Sequence, residues 1–137
     1  MSDFSKTVSD GMKRASSAFT GIVGPKGFRR GSGRKWVRQV DGCEEQISIT
    51  RSGATYGMPS SARVILQVAL SSRQLPDGAA IHLSHHETGK IRRSTGYCYH
   101  HRFDAETGST FDRCVEELEL FVEEVAEPWF RERRAAS

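Results

Sequence analysis

The chain has 137 residues, 36% of them hydrophobic and 27% charged, with a formal net charge of +3 and a pI near 8.9. That length suits one domain with a modest core. The weak positive balance permits an anionic partner without demanding one. Three cysteines, Cys43, Cys98 and Cys114, have no paired spacing, which argues against a disulfide framework and for a reducing compartment. No apolar run approaches a membrane span, and the first residues lack a secretory pattern, so a cytoplasmic location without membrane contact is expected.

In chain order, Phe4, Val8, Met12, Ala15, Phe19, Ile22 and Val23 recur at helical spacing and predict a helix over Asp3 to Val23. Ser2 or Asp3 is the candidate cap, Gly11 a weak point of about 1 kcal/mol, and Gly24-Pro25 the stop. Lys26 to Gln39 follows with six basic residues and no acid, broken by a turn signal at Gly31-Ser-Gly33. Trp36, Arg38 and Val40 alternate as in a strand, with Trp36 the natural core anchor. Asp41-Gly42 is the strongest hairpin turn in the chain, and Ile47 and Ile49 mark the returning strand.

Gly53 to Ser61 reads as a loop rich in small residues, holding Tyr56 and Met58. Arg63 to Leu70 is the clearest strand. Val64, Leu66, Val68 and Leu70 share one face, while the other face is only partly polar, which places it centrally. Ser71 to Gly78 reads as a loop turning at Leu75 to Gly78, Ala80 to Ser84 as a short strand, and Tyr97 to Phe103 as a last strand by alternation. Ser109 with Asp112 resembles a capping box. The helix it opens runs from Phe111 to Phe130, its apolar stripe carried by Phe111, Val115, Leu118, Val122, Val125 and Trp129. Pro128 kinks or breaks it at Glu127. Residues 1–130 thus form one α+β domain, an antiparallel sheet of about four strands covered on one face by an N-terminal and a C-terminal helix, with Arg131 to Ser137 a frayed tail.

Together, Gly24-Pro-Lys-Gly-Phe-Arg-Arg, then Trp36, Gln46-Ile-Ser-Ile-Thr-Arg-Ser, and Glu127-Pro-Trp-Phe130 resemble the pattern of the bacterial domain-of-unknown-function 4304 family. The resemblance covers nearly the whole chain. It implies an N-terminal helix leading through a Pro-Gly-Phe turn into an antiparallel sheet, closed by a C-terminal helix. It implies no established chemistry. By analogy with small bacterial families that accompany toxins, it suggests an immunity or accessory protein.

Four groups of residues carry candidate chemistry. His82, His86, Cys98 and His100 are the candidate metal ligands if their two segments pair, although no spacing typical of zinc sites is present; the plainer reading is scattered imidazoles on a sheet edge, and no cofactor is assigned. Cys98 and His100, on one face of a strand, would also suit a cysteine nucleophile and its base. Arg29, Arg30, Arg34, Lys35 and Arg38 form a basic surface able to meet phosphates, the basis of a nucleic-acid reading. Glu116, Glu119 and Glu123 lead an acidic helix face, which is either merely solvated or a docking surface for a basic protein. The leading expectation is a non-enzymatic protein-interaction module with an unknown protein partner. A nucleic-acid-binding domain comes second, and a metal-dependent or cysteine enzyme third.

Overall fold

The computed structural model describes residues 4–52, 59 and 61–136. The candidate caps Ser2 and Asp3, and nearly all of the Gly53 to Ser61 loop with Tyr56 and Met58, lie outside the described residues.

The order of elements is α1 (Ser5–Val23), a 3-10 turn (Gly24–Lys26), β1 (Arg29–Arg30), β2 (Lys35–Val40), β3 (Cys43–Arg51), β4 (Arg63–Gln74), β5 (Ile81–Leu83), α2 (His85–Thr88), β6 (Arg102–Asp104), α3 (Phe111–Phe121), a π turn (Val122–Ala126) and α4 (Glu127–Ala135). Every strand pairing is antiparallel, in the order β1-β2-β3-β4-β5, with β6 also on β4. Among the described residues the sheet has six strands rather than about four: β5 falls within the short strand expected over Ala80 to Ser84, β6 overlaps the end of the one expected over Tyr97 to Phe103, and β1 is a two-residue edge piece.

Asp41 and Gly42 both adopt positive φ, 50° and 77°, as a two-residue hairpin turn of the twist-matched kind requires. They set the β2–β3 register at Val40 opposite Cys43. β4 lies centrally, with β3 along one edge and β5 and β6 sharing the other. Its run extends to Gln74 because Ser71 to Gln74 pair with Cys43 to Gln46. Between β5 and β6 the Thr88 hydroxyl donates to the Val68 carbonyl at 2.5 Å, closing the gap with a side chain.

One sheet face and three helices enclose the core. Trp36, Ile47, Ile49, Val64, Leu66, Val68 and Leu70 meet Met12, Ala15 and Phe19 of α1, Leu118 and Phe121 of α3, and Phe130 of α4. Trp36 is fully buried, edge-on to Phe19 with centroids 4.7 Å apart, and its indole N–H donates to Thr20 Oγ1 at 2.9 Å.

Several local expectations change. α1 ends at Val23, but Gly24 is right-handed, and the left-handed residue that reverses the chain is Gly27, at φ 96°. The capping box forms at Ser84 and Glu87, where it opens α2, and not at Ser109 and Asp112. α3 starts at a left-handed Thr110 with no side-chain cap. Tyr97 to Phe103 shrinks to β6, preceded by a single bridge between Arg92 and Cys98. Pro128 does not end the helical run. Its ring fills the first turn of α4, where a missing N–H costs little, and the π turn before it absorbs the mismatch. The frayed tail is therefore mostly helix, running to Ala135, with the Arg134 Nε 3.0 Å from Glu45.

Candidate functional site

A cleft of about 610 Å³ lies where α1 crosses the β1–β2–β3 end of the sheet. Its α1 wall is Ser5, Val8, Ser9, Met12, Lys13 and Ser16, and its sheet wall is Arg30, Gly33, Arg34 and Arg51, with Pro59 at the rim. The helix period explains the α1 contribution. Gly11 and Arg14 turn toward Ala105 and Phe111, whereas Ser9, Lys13 and Ser16 occupy the opposite flank.

The hairpin supplies the rest. Its register puts Arg34 opposite Ile49, fixed by the Ile49 N–H to Arg34 carbonyl bond at 3.0 Å, and brings Arg51 alongside two residues later. Main-chain carbonyls hold the guanidiniums. Arg34 Nε donates to the Ile49 carbonyl at 3.3 Å and Arg30 Nε to that of Gly33 at 3.2 Å. Arg51 Nη1 donates to the Ser52 carbonyl at 3.4 Å. The Arg30 guanidinium also lies 5.7 Å from the Trp36 ring centroid. No carboxylate lines the groove, and none of Lys13, Arg30, Arg34 and Arg51 forms an ion pair among the described residues.

The predicted basic surface is thus divided. Arg30 and Arg34 line the groove. Lys35 alternates onto the uncovered sheet face and Arg29 stays exposed outside the groove. Arg38 is not a surface residue at all, being 8% exposed. Its Nε donates to Glu45 Oε1 at 2.8 Å, its two Nη groups grip Glu127, and it stacks 4.3 Å from the Phe28 centroid. Burial works against its charge, but the Glu127 and Glu45 carboxylates outweigh this and raise its pKa. Glu45 Oε2 faces Arg134 without the alignment of a hydrogen bond. Lys13 and Arg51 are the groove residues that the basic run does not contain. The alternation of Ser9, Lys13 and Ser16 on one flank of α1, and the hairpin register counted from Asp41-Gly42, were the signals that point to them.

The acidic helix divides in the same way. Glu116, Glu119 and Glu123 are exposed. Glu127 belongs to the Arg38 cluster, and Glu124 accepts the Tyr99 hydroxyl at 2.8 Å. Burial and that bond push the Tyr99 pKa up to about 12. Glu117 is buried. Its Oε1 accepts the His100 N–H at 2.5 Å, and its Oε2 lies 3.3 Å from Arg93 and 3.2 Å from Arg113. Burial opposes its charge, yet the His100 N–H and the two guanidiniums hold its pKa below the usual carboxylate range.

The histidine candidates do not converge. His82 is exposed on β5, His86 is exposed on α2, and Cys98 is exposed beside Arg92. His100 is buried, with its Nε2 unpartnered. Among the described residues no three His, Cys, Asp or Glu side chains are arranged to hold a metal ion. Cys98 precedes β6 in a loop, so the shared strand face expected for Cys98 and His100 does not form. A smaller cleft of about 220 Å³ beside β4 is lined by His85, Cys98, Tyr99 and His101. Its His101 Nε2 lies on the Glu117 carbonyl at 3.2 Å. Burial lowers the pKa of His101 and leads the causes that lower that of His100. Cys114 is a core residue, its thiol pushed up to about 12 by burial.

Fold and site together define an α+β chain whose sheet carries helices on one face and a basic groove at one end. No protein-family model, curated protein or solved structure matches the chain. Among the described residues no helix is long and apolar enough to cross a membrane.

Proposed function

We propose that this protein is a non-enzymatic protein-interaction module that docks an acidic segment of a partner protein in the groove between α1 and the β1–β3 end of the sheet. The observation that carries the reading is the gathering of Lys13, Arg30, Arg34 and Arg51 on one concave surface with no carboxylate among its described residues. Opposed charge of this kind speeds encounter and selects the partner. A nucleic-acid reading is less well supported, because among the described residues the groove wall holds no aromatic side chain for base stacking and Trp36 is buried in the core. An enzymatic reading lacks a metal cluster among the described residues.

The resemblance to the domain-of-unknown-function 4304 family gives the docking reading a setting, that of an immunity or accessory protein in a bacterial cytoplasm. The exposed Glu116, Glu119 and Glu123 would then offer a second, opposite surface to a basic toxin. The groove reading is tested by placing a photo-crosslinking residue at Ser9, which is exposed on the groove wall. The expected product in the native host is a protease-sensitive adduct whose cross-linked peptide is acid-rich, and which is lost in an Arg34→Glu background. A nuclease-sensitive adduct, or none, would remove the reading.

A further inference from the structure

We infer that the anionic groups this groove is built to receive are phosphate monoesters, so that the docking segment proposed above is phosphorylated. The inference rests on the groove being a docking site and adds the chemistry of what enters it.

The chain has 17 aspartates and glutamates. Arg38, Arg73, Arg93, Arg113, Arg133 and Arg134 all have a carboxylate within ion-pair distance. Among the described residues the groove cations have none, which they share with exposed cations such as Arg29, Lys35 and Arg63, but in the groove four such cations line one cleft. Three of them are instead anchored by main-chain carbonyls, which fix a guanidinium without cancelling its charge. Arg30 and Arg34 anchor through Nε, so both Nη groups of each stay available as a fork.

A carboxylate brings one negative charge and two oxygens. A phosphate monoester brings nearly two charges and three acceptor oxygens at neutral pH. Two phosphates balance four cations inside about 610 Å³, whereas four carboxylates would have to converge there. Planar, bidentate donors in excess of counter-charge suit phosphate best. The polar wall of Ser9 and Ser16 offers hydroxyls beside them.

The test compares three fluorescent peptides of equal length and a single-stranded DNA, by anisotropy at physiological ionic strength. One peptide carries two phosphoserines, one carries four glutamates to match the charge, and one is unmodified. The full chain should bind the phosphopeptide about tenfold or more tighter than the glutamate peptide, and the unmodified one not measurably. Arg34→Gln with Arg51→Gln should abolish that preference, and the corresponding double lysine variant, which keeps charge but loses the fork, should restore only part of it. Because Arg34 also braces β3, Lys13→Gln with Arg30→Gln is the second variant, expected to weaken the phosphopeptide without moving the melting temperature. Equal affinity for the glutamate peptide overturns the phosphate inference and leaves acidic docking standing. Free phosphoserine binding as tightly as the peptide overturns the phosphorylated segment. Binding of the DNA alone, or of no probe, removes both the inference and the docking reading.

Discussion

Glu117 is the residue at which charge and stability are most tightly coupled. It is the buried acceptor that ties α3 to the His100 main chain and to Arg93 and Arg113. Its pKa is depressed, so its contribution is complete above the ordinary glutamate range and is lost as pH falls through the folded-state value. His100 and His101 act in the same direction. Their lowered pKa values mean that the unfolded chain binds protons first, so stability drains as pH falls below about 6.5. Glu117→Gln should therefore cost about 3 kcal/mol at neutral pH, with the gap from the parent closing below roughly pH 4 in urea titrations. A gap that stays constant with pH would show that Glu117 works by shape alone. Arg38→Ala should cost a similar amount, about 3–5 kcal/mol, because it leaves Glu45 fully buried beside only one remaining cation, Arg134. A loss under about 1 kcal/mol would mean that the cluster is solvated rather than sealed. Neither residue was legible as internal from the sequence. Period alone puts Glu117 next to the stripe and Arg38 on the Trp36 face, but it cannot say that a charge there will find partners 24 or 89 positions away.

Among the elements, α1 shows how a weak helix former is kept for its position. Gly11 lies in mid-helix, where Ala would gain about 1 kcal/mol of propensity. A Cβ there would sit 2.8 Å from the Ala105 Cβ and 3.2 Å from the Phe103 ring. The Ala105 methyl is short and cannot swing away, so the clash outweighs the propensity. Gly11→Ala should lower stability by about 1–2 kcal/mol in thermal or denaturant melts, and a stabilised variant would contradict this packing. The strong patterns were readable beforehand. The α1 spacing, the Asp41-Gly42 turn and the alternation of β4 all appear where expected. What was hidden depends on context. β6 is the end of the strand expected from Tyr97, cut short because only Arg102 to Asp104 pair with β4, and the Ser84–Glu87 cap marks a helix of only four residues, too short for any apolar period. Pro128 signals a break by its own chemistry, yet the π turn before it lets the helical run continue.

For the molecule as a whole, the distribution of charge matters more than its sum. A net charge of +3 hides a basic groove on one flank of α1 and the exposed Glu116, Glu119 and Glu123 on α3. The basic run in the sequence located half of the groove, through Arg30 and Arg34. It overreached with Arg38, because alternation along β2 sends that side chain inward, and it omitted Lys13 and Arg51, which only the packing of α1 on the hairpin brings alongside. Since exposed charges are screened beyond about 10 Å at moderate salt, affinity for an acidic segment should drop steeply as salt rises. The account's central claim is tested most directly by titrating isotope-labelled protein with the two-phosphoserine peptide and following the backbone amide resonances. It predicts shifts clustered at Ser9, Lys13, Ser16, Gly33, Arg34 and Arg51 that fade with added salt. Shifts confined to the outer face of α3 or to the surroundings of Arg29 and Arg102, with the groove amides unmoved, would contradict it.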